Sequence, residues 1–160
     1  MREIALSGRD LAVFSADILS RGGTFRLRAK GVSMQPFVWG GNILTIVPVA
    51  TSTLKIRDIV LYKSDGGELI AHRLIGYPQS DHTKLLIKGD SYGGAPVTVL
   101  KEQVLGRISE IHLGGKRISC DSWMVRYAVF LWIETSPVSS FLFKLIKQTT
   151  NKFTRLFAIR

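Results

Sequence analysis

The sequence predicts a mainly β barrel or sandwich, with a helix at its N-terminal end and a helical segment at its C-terminal end. Short apolar, β-branched runs recur between residues 24 and 120, and Gly, Pro or Asp punctuates them. Where one face is polar, apolar residues alternate: Phe25, Leu27 and Ala29 against Arg26, Arg28 and Lys30. Before residue 22 and after residue 122 the apolar spacing becomes helical. No repeat or low-complexity tract interrupts this plan.

In chain order, 7–21 reads as a helix. Ser7 caps it with Asp10 three residues on, Gly22-Gly23 ends it, and Leu11, Phe14, Ile18 and Leu19 share a face. Strands are expected over Thr24–Lys30, Ile43–Val47, Ile59–Tyr62, Leu69–Ile75, Leu85–Lys88, Val104–Ile111 and Lys116–Cys120. Asp65-Gly66-Gly67 reads as a turn, and Gly114-Gly115 as the turn of the last hairpin. Trp123–Ile133 is apolar and aromatic but falls short of the roughly 20 residues that span a bilayer. Beyond it, Phe141, Leu142, Leu145, Ile146, Phe153, Leu156 and Phe157 alternate with Lys144, Lys147, Lys152, Arg155 and Arg160. This basic amphipathic pattern over 138–160 suits an anionic membrane surface, a partner chain or the protein's own core.

Length and composition bound the function. A chain of 160 residues, 46% of them hydrophobic, is expected to fold as one domain over 1–121 with an appended tail over 122–160. The net charge of +10 favours an acidic partner: nucleic acid, anionic lipid or an acidic peptide. Aromatic residues gather in the C-terminal segment rather than among the basic strand residues, so nucleic acid is not expected. The single cysteine, Cys120, excludes an internal disulfide framework and reads as a buried thiol. Arg2, Glu3, Arg9 and Asp10 precede any apolar run, so no signal peptide is expected; the location is cytoplasmic or peripherally membrane-associated.

One stretch carries chemistry: Lys30-Gly31-Val32-Ser33-Met34-Gln35-Pro36-Phe37. Glycine frees the backbone and proline stiffens it, so the turn presents the Ser33 hydroxyl in a fixed direction. A serine needs a base to become a nucleophile. His82 lies in a polar loop and His112 near a hairpin turn, whereas His72 interrupts an apolar strand, where its ring must be satisfied or used. Asp90, at a strand end in Ile87-Lys88-Gly89-Asp90-Ser91, is the candidate to orient it. No His/Cys/Asp cluster has metal-ligand spacing, so no metal or cofactor is implied.

Five blocks in order resemble the signal peptidase I family and its wider LexA-like superfamily. They are Gly31–Phe37, Asp58–Tyr62, Ala71–Ile75, Ile87–Asp90 and Gln103–Arg107, and the similarity covers Thr24 to Lys116. The resemblance implies a β-barrel-type peptidase core with Ser33 as nucleophile and backbone oxyanion donor. His72 stands as general base where most bacterial members have lysine, and Asp90 as its acidic partner. Met34, Pro36 and Arg73 are then substrate-proximal. Gly31, Arg57, Asn42 and Ser91 depart from the usual family residues, and no N-terminal anchor is apparent. The chain so read is an anchorless serine endopeptidase acting on a leader or signal-like peptide or preprotein, with a possible peripheral membrane contact through 138–160. Two other readings stand beside it: a LexA-like self-cleaving regulator fragment, and a non-enzymatic basic β module that binds membrane or peptide.

Overall fold

The structure, a computed structural model, describes residues 8–79, 81–91 and 95–134. Helix α1 spans Gly8–Ser20, eight strands follow, and helix α2 spans Trp123–Glu134. Ser7 and the basic amphipathic segment 138–160 lie outside the described residues. The strands are β1 (Phe25–Arg28), β2 (Ile43–Val47), β3 (Ile59–Lys63), β4 (Leu69–Gly76), β5 (Lys84–Lys88), β6 (Val97–Leu100), β7 (Val104–Leu113) and β8 (Lys116–Ser119).

All pairings are antiparallel, in the order β1-β2-β7-β3-β4-β5-β6. The long β7 takes β2 on one edge, and first β3, then β8, on the other. The sheet therefore stays open, contrary to the expected barrel. Its terminal strands β1 and β6 have four residues each and pair only with β2 and β5. Register shifts at Thr45/Ile46, Leu61/Tyr62 and Leu74/Gly76 bend the sheet without closing it.

The bent sheet buries apolar side chains on both faces. Along β3, Ile59 and Leu61 join one core with Phe25, Leu44 and Ile108. Val60 and Tyr62 join another with Leu74, Leu85 and Ile87. Strand alternation makes these opposite faces, and double burial explains why β3 reads as a continuous apolar run. The same parity continues on β4: Leu69 and Ala71 pack on the first core, Ile70 and Leu74 on the second.

Turns match their residues. Gly114 and Gly115 both have positive φ, 53° and 83°, as the two-residue turn between β7 and β8 requires. α1 lays Leu19, Ile18 and Leu11 on the first core. α2 packs through Val129, which is 3% exposed.

Candidate active site

The site forms where the sheet splits. β5 pairs with β4 only from Arg73 onward, so the preceding half of β4, Leu69–His72, has no β5 partner along that edge. The turn carrying Ser33 comes to this gap. Gly31 enters it at φ 82°, and Met34 O accepts the Val38 N–H at 2.9 Å. Asn42 closes it, its side-chain oxygen accepting the Trp39 N–H at 2.9 Å. Ser33 Oγ lies 3.3 Å from His72 Nε2, within reach of a nucleophile–base hydrogen bond in an unliganded site.

The end of β5 fastens this turn. Ser91 N–H donates to Ser33 O at 2.9 Å, and Ser91 Oγ donates to Val32 O. Gly89 passes so close that an added Cβ would lie 2.7 Å from Ser33 O and 3.3 Å from His72 Nε2. No side chain beyond hydrogen fits there. Sequence reasoning missed both residues as site components, although the glycine beside Asp90 was the available signal.

Asp90 does not meet His72. It binds Arg73 through both carboxylate oxygens, with Nε at 2.7 Å and Nη2 at 2.6 Å, and both side chains are almost fully buried. Arg73 Nη1 also donates to Arg57 O at 2.7 Å, and its guanidinium lies over the Phe37 ring. The reason is parity. His72 and Arg73 are consecutive on a strand and face opposite sides of the sheet. Asp90 follows two residues after Lys88, the register partner of Arg73. The expected orienting bond is replaced by a buried ion pair behind the turn. His72 Nδ1 is buried and makes no hydrogen bond among the described residues.

Burial holds the His72 pKa below its ordinary value of 6.5, and the charge of Asp90 draws it partly back. The imidazole is therefore neutral at neutral pH and able to accept a proton. The other histidines sit elsewhere: His82 is exposed, and His112 bonds Thr45 Oγ1 at 3.0 Å. Cys120 is raised to about 11 by burial, so its thiol stays protonated and inert.

Two cavities flank Ser33, one on each face of the gap. The first, about 310 Å³, is lined by apolar side chains of the first core, Met34 and Ala71 among them, and by the exposed charged residues Arg28, Lys30 and Glu68. The second, about 420 Å³, is lined by His72, Tyr62, Asp65 and Gln103. Met34, 4% exposed, thus borders the candidate nucleophile, whereas Pro36 lines a separate apolar cavity of about 270 Å³ beneath α2. Arg73 also lines that third cavity, away from His72. No protein-family model matches the chain, and no curated protein is significantly similar to it.

Proposed function

We propose that the chain is a serine endopeptidase of the signal-peptidase-like class, acting on a leader or signal-like peptide. The observation that carries this reading is the 3.3 Å approach of Ser33 Oγ to His72 Nε2, beside a stretch of β4 that β5 leaves unpaired. An extended peptide would add to β4 along Leu69–Ala71, its backbone pairing with the edge that no described strand occupies and its side chains alternating between the two flanking cavities.

In the proposed reaction His72 Nε2 takes the hydroxyl proton as Ser33 Oγ attacks the scissile carbonyl carbon. The Ser33 N–H donates to the resulting oxyanion. His72 then gives its proton to the leaving amine as the C–N bond breaks. Water, deprotonated by His72, releases the acyl group as a carboxylate and restores the serine. The pair works as a dyad, and Asp90 acts at a distance by holding Arg73 and the strand end that fastens the turn.

The test is turnover of a peptide library containing signal-like and leader-like sequences, read by mass spectrometry. Discrete cleavage by the wild type, falling about a thousandfold or more in both Ser33→Ala and His72→Ala, is the expected result. Cleavage that survives Ser33→Ala would overturn the assignment.

Peripheral contact with anionic lipid belongs to the same proposal. It is favoured by the outward side of α2, where Trp123, Met124 and Tyr127 are 76%, 61% and 57% exposed. The basic amphipathic sequence 138–160 follows that helix.

A further inference from the structure

We infer that the cavity beneath α2 binds a free single-chain carboxylate of about ten carbons, a medium-chain fatty acid. The inference is independent of the peptidase reading and does not involve Ser33 or His72. The cavity encloses about 270 Å³ between walls that include Phe37, Ile59, Ile108, Ile111, Ile118 and Val129. Trp39, Leu113 and Ala128 are the lining residues that are exposed, and they mark its mouth. A cavity of about 150 Å³ holds six-carbon benzene, so this one has room for roughly ten carbons. A two-chain lipid does not fit.

The space follows from how α2 is fastened. Arg126 Nη1 meets Asp58 Oδ1 at 2.9 Å, and Arg126 Nη2 donates to Ile56 O at 3.2 Å. Farther along the helix, Trp132 packs edge to face on Phe37. Between these two points the helix lines the cavity with Ala128, whose single methyl fills little of the gap to β7 and β8. Charge then decides the occupant. Four charged residues line the cavity: Arg57, Asp58, Arg73 and Arg126. Asp90 neutralises Arg73, and Asp58 neutralises Arg126. Arg57 is left over, with no ion pair among the described residues and its guanidinium over the Phe130 ring. It is also the one non-glycine residue at positive φ among them, so strained backbone is retained where the unpaired cation stands. An excess of positive charge suits an anionic head group. It disfavours the chain's own sequence 138–160, which has five basic residues and no acidic one, and a second copy carrying +10.

The test uses the full chain, labelled at isoleucine and methionine methyls and titrated with decanoate below the concentration at which it forms micelles. Decanoate should shift the Ile108, Ile111 and Ile118 methyls with one saturable affinity. Ile87 of the second core and the exposed Met124 should stay unmoved. Octanoate, two methylenes shorter, should bind about tenfold more weakly. 1-Decanol, uncharged, should also bind about tenfold more weakly than decanoate, and decyltrimethylammonium more weakly still. Arg57→Gln should bring decanoate down to the affinity of decanol and leave decanol unchanged. Ala128→Leu, which fills the space from a helical position that accepts leucine, should remove binding of both. Equal affinity for decanoate, decanol and the cationic amphiphile would overturn the inference. So would cavity methyls that stay still throughout the titration or move only together with Met124. Methyl shifts that follow protein concentration without any ligand would give the cavity to a second copy and overturn it equally.

Discussion

At the scale of single residues, two side chains and one missing side chain carry the proposed chemistry. Gly89 is the missing one: an added Cβ would meet the Ser33 carbonyl oxygen at 2.7 Å, and backbone must move to admit it. Gly89→Ala should therefore separate Ser33 from His72 and lower kcat about a hundredfold, the scale of an ångström of misplacement, with a smaller change in KM. Peptide turnover with a melting curve alongside checks this. His72 supplies a pH signature. Its folded pKa lies below 6.5 because burial disfavours the charged ring. The base must be neutral, so cleavage should rise through an apparent pKa below 6.5 and be level at neutral pH. The stability sign is the same. Below pH 6.5 the unfolded chain takes up the histidine proton before the folded one, so stability falls as pH drops from 6.5 toward the folded pKa. His72→Phe should flatten that part of the stability profile, and an unchanged acid limb in denaturant titrations would contradict the assignment.

At the scale of elements, the ion pair behind the turn and helix α2 hold the site from the far side. Asp90→Ala leaves the guanidinium of Arg73 buried without its partner, which costs about 3–5 kcal/mol when a buried pair is broken. The acid limb of the pH–rate profile should then move lower still, because Asp90 now raises the His72 pKa. Loss of activity with no loss of stability would instead assign Asp90 a direct action on His72. α2 reaches the same place: Trp132 meets Phe37 edge to face, with ring centroids 6.2 Å apart, and its indole N–H points to Asp90 O at 3.5 Å. Arg57 joins helix and sheet. It holds a left-handed φ of 80°, which costs a residue with a side chain about 1–2 kcal/mol, while its guanidinium lies 4.5 Å from the Phe130 ring centroid. Much of this framework was legible in sequence. Alternation located the first strand, short apolar β-branched runs between Gly and Pro located six more, Gly114-Gly115 located the last hairpin, and an imidazole in an apolar strand located His72. β6 was missed because it is only four residues long, follows Pro96 and leaves Val97 half exposed. The partner of Asp90 was misjudged because chain order brings it near both His72 and Arg73, and only the β4–β5 register separates them. The open sheet could not be read from strand runs, since closure depends on which edges meet across the fold.

At the scale of the molecule, charge and apolar surface point the same way. The chain carries +10, and the sequence after α2 adds Lys144, Lys147, Lys152, Arg155 and Arg160 with no acidic residue between 135 and 160. No helix among the described residues is long and apolar enough to cross a membrane. The contact proposed above is with a membrane surface. Trp123 and Tyr127 would enter the interface, and each basic residue near an anionic leaflet would contribute about 1 kcal/mol. Two signatures should separate in a sedimentation assay with phosphatidylserine-containing vesicles. Raising salt from about 50 to 500 mM shortens the screening length below 10 Å and should weaken binding more than tenfold. Trp123→Ser with Tyr127→Ser should lower binding at every salt concentration by a similar factor, because the apolar share is not screened. Equal binding to neutral phosphatidylcholine vesicles, indifferent to salt, would remove the electrostatic half of the proposal. Unchanged binding by the double variant would remove α2 from the contact and leave the basic sequence beyond it as the site of attachment.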